Sequence, residues 1–442
     1  MTRRLGLLTL ATGLMLSLGA AAAPAMTIER IVSPAGIEAW LVRESSGPLV
    51  ALSYSFHGGT SQDLPDKIGA ANLATDLLDE GAGDLDGKTF HERLENHAIE
   101  LGFSVGRDYF RGTLRALNAH REEAFDLLHL ALSAPRFDAD AVERVRGQVL
   151  STLRRETTSP NELASRRWWQ TAFPDHPYGR ESKGSLETVP RITGEDMRDY
   201  VRRTFARNEL KIAIVGDIDA QAAGALIDRA FAFLPATNDL RPVAEASPRG
   251  LGRRIVIALD VPQAVVTFGG AGIARSDPDF MAAYIVNHIL GGGSFSSRLY
   301  REVREKRGLA YGVSDSLVWF KRASVLLGGT ATRADRTGDA LAVIEQEIKR
   351  MAADGPTADE LAKAKSYLKG SYALGLDTSS KIAGQLVQHQ IDNLGIDYIQ
   401  RRNGLIDAVT IADARRVAKR LYSGGILVTV AGRPTGVTST AE

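Results

Sequence analysis

The sequence predicts an α+β protein of two homologous lobes, each a largely antiparallel sheet with helices packed on one face. Three observations lead to this prediction. The chain has 442 residues, which is too long for a single small core. Each half shows the same order of strands, helix, strands, helices and a final strand, which indicates an internal duplication. The apolar strand 212–215 and the glycine turn after it also have a counterpart in 426–432.

The first 25 residues differ from the rest and predict a cleavable signal peptide. Arg3 and Arg4 precede an apolar run at 5–18, and the Ala-Pro-Ala of 23–25 offers a small-x-small cleavage site. A membrane anchor is the alternative, but the run is short for a bilayer span. We therefore expect export, to the periplasm if the source has two membranes and to the medium otherwise.

Residues 26–235 form the first predicted lobe. Strands are expected where branched and aromatic residues cluster, and helices where apolar residues recur every three to four positions. The predicted strands are 28–42, 49–56, a pair within 100–116, and 210–215. The predicted helices are 67–79, one beginning at 90–96, 122–132, 140–157 and 221–233.

A segment without periodicity separates the two lobes. Residues 236–254 contain two prolines and two glycines near their end and predict an inter-domain linker. The second lobe, 255–442, repeats the pattern of the first. Its predicted strands are 255–259, 265–268, 310–320, 324–330 and 426–430, and its predicted helices are 280–290, 296–307 and 335–353.

Composition excludes several classes of function. The 54 basic and 53 acidic side chains leave a net charge of +1, so no general field attracts nucleic acid or an anionic membrane. Cysteine is absent, which excludes disulfides and thiolate chemistry and leaves His, Asp and Glu as metal ligands. After the first 25 residues no apolar run reaches the length of a bilayer span, so we expect no stable membrane insertion.

Motifs that would define an active site by themselves are missing. The sequence has neither a G-x-S-x-G nucleophile elbow nor a phosphate-binding G-x-x-x-x-G-K. His91 and Glu95 share a helix face, but such a pair is more often solvated than metal-binding. The three glycines 291–293 precede a helix, where a flexible turn is a more common role than anion binding.

The second half closely resembles the pitrilysin/insulinase family of inverted zinc metallopeptidases. The resemblance rests on LGGGSFSSRLYREVREKRGLAY at 290–311, with DPD at 277–279 and ELAKAK at 360–365. HPYG at 176–179 and NEL at 208–210, leading to VGD at 215–217, extend it into the first half. The likeness covers about residues 27–435. It implies two similar lobes, as in pitrilysin and the mitochondrial processing peptidase, that face each other across a peptide-enclosing chamber.

The resemblance also implies that the zinc motif is degenerate. In the family's H-x-x-E-H motif two His hold the metal and the Glu activates water. The matching positions are Asn72 and Asp76 in place of the two His, and Thr75 in place of the Glu. An amide and one carboxylate do not make a tight zinc site, and Thr is not a base at neutral pH. We therefore expect no metal in this chain and no hydrolysis by it alone.

The family's distal zinc ligand, a Glu, is also unmatched. Its position falls near Thr152, where Ser151 and Leu153 offer no carboxylate either. Glu156 lies too far along the predicted helix. Loss of this ligand as well would remove the whole metal-dependent mechanism.

The Arg/Tyr pair that the family's opposite lobe contributes to the active site has counterparts in Arg304 and Tyr311. Arg304 falls in the last turn of a predicted helix that Gly308 is suited to cap, and Tyr311 enters the next strand. Both side chains can donate hydrogen bonds to a substrate carbonyl or to a developing oxyanion. Without the resemblance, a solvated Arg and an aromatic side chain at the edge of the core would explain them.

The resemblance therefore predicts the non-metal-binding subunit of a heterodimeric zinc peptidase that degrades peptides. Its partner would be a zinc-bearing homologue of similar length, and zinc would be bound only there. A catalytically inactive scaffold or peptide-binding protein is the alternative from another class. A third possibility is a hydrolase with a metal site built from His91, Glu95 or Asp76, although no set of three ligands is evident.

Overall fold

The computed structural model describes residues 26–440 of the chain. The predicted signal peptide, residues 1–25, lies outside the described residues. In the described part of the chain, no helix is both long and apolar enough to cross a membrane.

The first half contains eight strands and seven α-helices. The strands are β1 Glu29–Val32, β2 Glu38–Arg43, β3 Leu49–His57, β4 Gly81–Ala82, β5 Leu85–Asp86, β6 Glu100–Val105, β7 Tyr109–Leu117 and β8 Lys211–Gly216. The helices are α1 Ala70–Thr75, α2 Gly87–Asn96, α3 Arg121–Ser133, α4 Ala139–Glu156, α5 Pro160–Ala172, α6 Gly194–Thr204 and α7 Ala220–Phe231.

The second half contains five strands and six α-helices. The strands are β9 Arg254–Ala258, β10 Gln263–Ala271, β11 Ala310–Trp319, β12 Ser324–Arg333 and β13 Leu427–Gly432. The helices are α8 Phe280–Asn287, α9 Thr337–Asp354, α10 Ala358–Tyr372, α11 Ser379–Ile391, α12 Tyr398–Ala408 and α13 Ile411–Tyr422. Two segments, His288–Gly292 and Tyr300–Glu305, form wider π-helical turns.

The two main sheets have the same topology, which confirms the predicted pair of homologous lobes. The first has the order β1-β2-β8-β3-β7-β6 and the second β11-β12-β10-β13-β9. When the order of the second sheet is reversed, its five strands take the places of five strands of the first: β9 matches β2, β13 matches β8, β10 matches β3, β12 matches β7 and β11 matches β6. Each sheet is antiparallel except for one parallel pair, β2 with β8 and β9 with β13. Among the described strands of these two sheets, β1 alone has no counterpart.

The lobes exchange one helix each, which the sequence did not suggest. Most helices of a half pack on one face of its own sheet and form two large apolar cores. The other face of the second sheet is covered by α5 from the first half, whose Trp168 donates its indole N–H to the Leu427 carbonyl at 3.2 Å. In return α11 covers the first sheet, where Ile382 and Leu386 pack against Trp40. Each half therefore completes the other's core.

Several predicted boundaries were wrong. The predicted strand 28–42 is a hairpin, because the chain turns at 33–37 between β1 and β2. The predicted helix 67–79 shortens to α1, because the Asp63 carboxylate accepts hydrogen bonds from the N–H groups of Gly69 (2.8 Å) and Ala71 (2.9 Å) and so fixes its start. The predicted helix 296–307 begins with a 3-10 turn at Ser294–Ser296 and becomes helical from residue 298.

Residues 236–253 contain no helix or strand and run along both halves. The N–H of Arg241 bonds to the Gln62 side chain at 2.7 Å, and that of Ala246 bonds to the Arg322 carbonyl at 2.9 Å. The segment is therefore anchored on each side. The predicted domain boundaries around it stay a prediction.

Candidate functional site

The degenerate zinc positions lie on α1 and on Asp76, the residue that caps its end, and the structure brings two of them together. Asn72 and Asp76 share a helix face, and the Asn72 amide donates to the Asp76 carboxylate at 2.8 Å. Thr75 instead points into the core, where its hydroxyl donates to the Ala71 carbonyl at 2.7 Å. The two polar side chains are thus bonded to each other, and the third has no access to a water on their face.

The Asp76 carboxyl holds its proton more tightly than usual. Desolvation by the surrounding chain raises its pKa to about 6, and the nearby Asp79 charge adds to this effect. The hydrogen bond from Asn72 and the charge of Lys183 act in the opposite direction. Part of the side chain remains exposed, so solvent screens these interactions.

No carboxylate occupies the predicted distal position. Arg155 donates to the hydroxyls of Ser151 (3.0 Å) and Thr152 (2.9 Å), while Leu153 is buried in the core. Glu156 is buried too, and it binds the ammonium group of Lys183 at 2.6 Å. Lys183, which sequence reasoning missed, therefore supplies the positive charge beside both Glu156 and Asp76.

Residues 26–440 contain no group of three or more His, Asp or Glu side chains that would hold a metal ion. The His91 imidazole bonds to the Gly87 carbonyl of its own helix at 2.8 Å, which is a local structural contact. The alternative metal site at His91, Glu95 or Asp76 thus has no supporting geometry.

The structure brings Arg304 and Tyr311 into direct contact. The Arg304 guanidinium carbon lies 4.4 Å from the centre of the Tyr311 ring and 4.9 Å from that of Tyr300. Arg304 also donates a hydrogen bond to the Tyr300 hydroxyl. Gly308 adopts φ +58° and ends the helical segment, as predicted, so that the chain can turn into β11. The cation thus contacts two aromatic rings, which orient it without neutralising it.

The outer part of the cluster formed by Arg304, Tyr311 and Tyr300 is open to solvent. Tyr311 is 85% exposed, and Phe295, whose ring meets that of Tyr300 edge-on, is 72% exposed. Sequence reasoning missed Tyr300 and Phe295 as members of the group. The spacing of Tyr300 and Arg304, four residues apart on one helical segment, was the signal that would have found Tyr300.

A buried ion pair anchors the helical segment that carries Arg304. The Arg298 side chain, only 5% exposed, binds both Glu360 oxygens at 2.6 and 2.8 Å and the Gly355 carbonyl at 3.0 Å. Glu360 also caps the start of α10 by accepting from the Thr357 N–H at 2.9 Å. The helical segment that carries Arg304 is therefore fixed to α10 at its first turn.

A second buried polar group lies under the glycine turn before that helix. Asp315 on β11 is 1% exposed. One of its oxygens accepts from the Asn287 amide at 2.9 Å, and the other has no hydrogen-bond partner in the described part of the chain. Gly291 passes so close that a Cβ there would lie 2.3 Å from the carboxylate. Burial raises the pKa of Asp315 to about 8, so it is mostly a neutral acid at pH 7.

The chemistry available here is hydrogen-bond donation. The Arg304 guanidinium and the Tyr311 hydroxyl are donors on an exposed face, and either would bind a carbonyl oxygen or an oxyanion. The position that would carry the family's general base holds the buried Thr75, and the zinc-motif positions among the described residues form no metal ligand set.

Models of two domains of one peptidase family match this chain. "Insulinase (Peptidase family M16)" matches residues 40–184, and "Peptidase M16 inactive domain" matches residues 191–368.

Named relatives and a solved structure agree with these matches. An uncharacterized zinc protease of Streptomyces coelicolor is 27% identical over 89% of this chain and 87% of its own. The non-peptidase homolog YmxG of Helicobacter pylori is 28% identical over 75% of this chain and 77% of its own. A crystal structure described as the peptidase M16 inactive domain from Pseudomonas fluorescens covers 94% of this chain and 100% of its own, at 28% identity and a TM-score of 0.87.

Proposed function

Because the chain belongs to the M16, or insulinase, family of peptidases, we propose that it is the subunit of a zinc metallopeptidase complex that does not bind the metal. In this proposal Arg304 and Tyr311 face the zinc of a homologous partner chain and bind the substrate carbonyl as it becomes an oxyanion. The substrates are peptides small enough to be enclosed between the two chains. The complex acts in the periplasm, or outside the cell if the source has one membrane.

The observation that carries the proposal is the difference between the Arg304–Tyr311 pair and the degenerate zinc positions. The Arg304 guanidinium is stacked 4.4 Å from the Tyr311 ring, and that ring is 85% exposed. The side chains of Asn72 and Asp76 are hydrogen-bonded to each other, and Thr75 is buried. Donors thus remain available where a substrate would need them, while the catalytic metal and base would have to come from elsewhere.

The proposed role needs a cation that is held in place before the substrate binds. The two rings beside Arg304 restrict its motion, so little reorganisation is needed when negative charge develops. Removing one such donor from an oxyanion site typically lowers turnover roughly 100-fold to 1,000-fold. A merely solvated arginine would have no comparable effect.

The first test is native mass spectrometry of the chain purified gently from its own source. The proposal expects a species near twice the mass of the chain without its signal peptide, with a different second chain and one zinc ion. A zinc-free monomer or homodimer alone would contradict it.

The second test measures peptide turnover by the purified complex. Arg304→Ala and Tyr311→Phe are each expected to lower kcat roughly 100-fold while the zinc content stays at one ion per complex. Tyr367→Phe is the matched control, because Tyr367 is 60% exposed and stacks on His288 outside this pair. Wild-type turnover in both Arg304→Ala and Tyr311→Phe would sink the mechanistic part of the proposal.

An inactive scaffold or peptide-binding protein is the second candidate function. It is favoured by the loss of all the zinc-motif side chains and by the name of the Helicobacter pylori relative, a non-peptidase homolog. A stable assembly that binds peptides without cleaving them would support this candidate over the first.

A further inference from the structure

A cavity of about 730 Å³ lies where the two halves meet. It is bounded by the β6–β7 turn, the start of β8, the end of β11 and the end of α11. Arg304 and Tyr311 do not line it, nor do the degenerate zinc positions. Its size is within the usual range of small-ligand sites.

Positive charge dominates the lining of this cavity. Five Lys or Arg residues line it against three Asp or Glu residues. All three carboxylates already have partners. Asp108 accepts from the Lys321 backbone N–H at 2.9 Å, Glu209 accepts from the Lys321 ammonium at 3.1 Å, and Asp392 accepts from the Trp319 indole at 3.0 Å.

Three cations in the cavity have no carboxylate as a hydrogen-bond or ion-pair partner among the described residues. Arg107 donates to the Tyr178 carbonyl at 3.1 Å and lies over the Trp169 ring; the other two are Arg111 and Lys211. Arg111 donates to the side-chain carbonyl of Gln388. The Lys211 ammonium has no hydrogen-bond or ion-pair partner within residues 26–440. Its charge lowers the pKa of Glu38, which is already paired with Arg30 at 2.6 Å. Burial lowers the pKa of Arg111, which marks a charge taken partly out of water.

Strand pairing places these two cations on one face of the first sheet. Arg111 on β7 and Lys211 on β8 both pair with Ser55 of β3, from opposite sides. Directly paired residues project to the same face, and two strand spacings separate their Cα atoms by about 10 Å. Both side chains are long enough to reach one anion between them.

Aromatic side chains form another part of the lining. Tyr109, Trp319 and Phe320 line the same cavity as the two cations. Such a wall suits a ligand that carries an apolar group next to its negative charge, and the volume exceeds what an inorganic anion needs. The lining therefore favours an amphipathic carboxylate.

We propose that this cavity binds the C-terminal carboxylate of a short peptide between Arg111 and Lys211, with the last side chain against the aromatic wall. The choice of a peptide rests on the proposed function; the carboxylate site itself rests on the cavity. Because residues of both halves line it, a bound peptide would also link the lobes.

The test compares three probes by isothermal titration calorimetry on the mature chain: N-acetyl-Ala-Ala-Phe with a free carboxylate, the same peptide as its C-terminal amide, and inorganic phosphate. The free acid is expected to bind at least about 10-fold more tightly than the amide, which corresponds to about 1.4 kcal/mol. Arg111→Gln and Lys211→Gln are each expected to weaken binding of the acid about 5-fold or more and to leave the amide unchanged.

Two control variants separate this site from others. Arg115→Gln changes an arginine on the same strand that is paired with Glu100 at 2.9 Å outside the cavity, and it should bind the acid as wild type does. Arg304→Ala should also bind normally, so failure of the proposed catalytic role would not affect this result. Lys211 has no bonded partner to lose, so Lys211→Gln is expected to keep the thermal midpoint of the wild type.

Three results would overturn the proposal. Equal affinity for the acid and the amide would remove the carboxylate from recognition. Phosphate binding without peptide binding would leave a small-anion site only. Wild-type affinity in the folded Lys211→Gln variant would show that this cation does not take part.

Discussion

Replacing Asp315 by Asn is expected to make the protein resist alkaline unfolding. The carboxyl is fully buried under the glycine turn, and burial raises its pKa from the ordinary 3.8 to about 8. In the unfolded chain the same group ionises near pH 4. Between these values the folded state holds a proton that the unfolded state has lost, so the stability contributed by this group falls as pH rises toward 8.

The size of the effect follows from the gap between the two pKa values. Each unit of pKa difference corresponds to about 1.36 kcal/mol, so the roughly four-unit gap sets an upper limit of about 5 kcal/mol. Asn keeps an oxygen that can accept from the Asn287 amide, but it has no proton to lose. The free energy of unfolding of Asp315→Asn should therefore rise relative to wild type by several kcal/mol between pH 4 and pH 8.

Urea unfolding followed by circular dichroism at several pH values measures this difference. Asp335→Asn is the matched control, since that carboxylate is exposed and paired with Arg333, and its curve should run parallel to that of the wild type. The reasoning is refuted if Asp315→Asn shows the same pH dependence as the wild type.

Three further predictions concern the supports of the fold and are measured as urea unfolding free energies. Gly291→Ala should cost about 1–3 kcal/mol, because its Cβ would overlap the buried carboxylate, whereas Gly312→Ala has open space and should cost less than about 0.5 kcal/mol. Arg298→Ala should cost about 3–5 kcal/mol by leaving a half-buried carboxylate without its partner, against less than about 1 kcal/mol for the exposed Arg333→Ala. Trp168→Ala should cost about 3–5 kcal/mol and destabilise both halves together, because the fully buried indole packs on the sheet of the other half. Separate unfolding transitions of the two halves would contradict this.

The sequence determined the parts of this protein that depend on residue identity and local pattern. The duplicated order of elements predicted two homologous lobes, because apolar periodicity is a local property of the chain. The run at 290–311 identified the family, since its residues are read directly. Asn72, Thr75 and Asp76 likewise exclude the family's zinc ligands by their chemistry alone, without regard to their positions in space.

The tertiary structure decided what depends on contacts between distant residues. The exchange of α5 and α11 was not predicted because neither helix was assigned from the sequence, and an amphipathic pattern does not specify the sheet that receives a helix. Lys183 lies beside Asp76 only because the chain folds back over more than a hundred residues. The Asp315 carboxyl lies under Gly291 only because the chain folds back over more than twenty residues.

The geometry of the site likewise depends partly on local sequence and partly on tertiary structure. Spacing placed Arg304 at the end of a helix and Tyr311 at the start of a strand. It did not show that their side chains stack or that Arg304 also contacts Tyr300. The cavity with Arg111 and Lys211 arises from strand pairing across a hundred residues. Local sequence fixes which groups are available, whereas the free energy of packing the whole chain decides which of them meet.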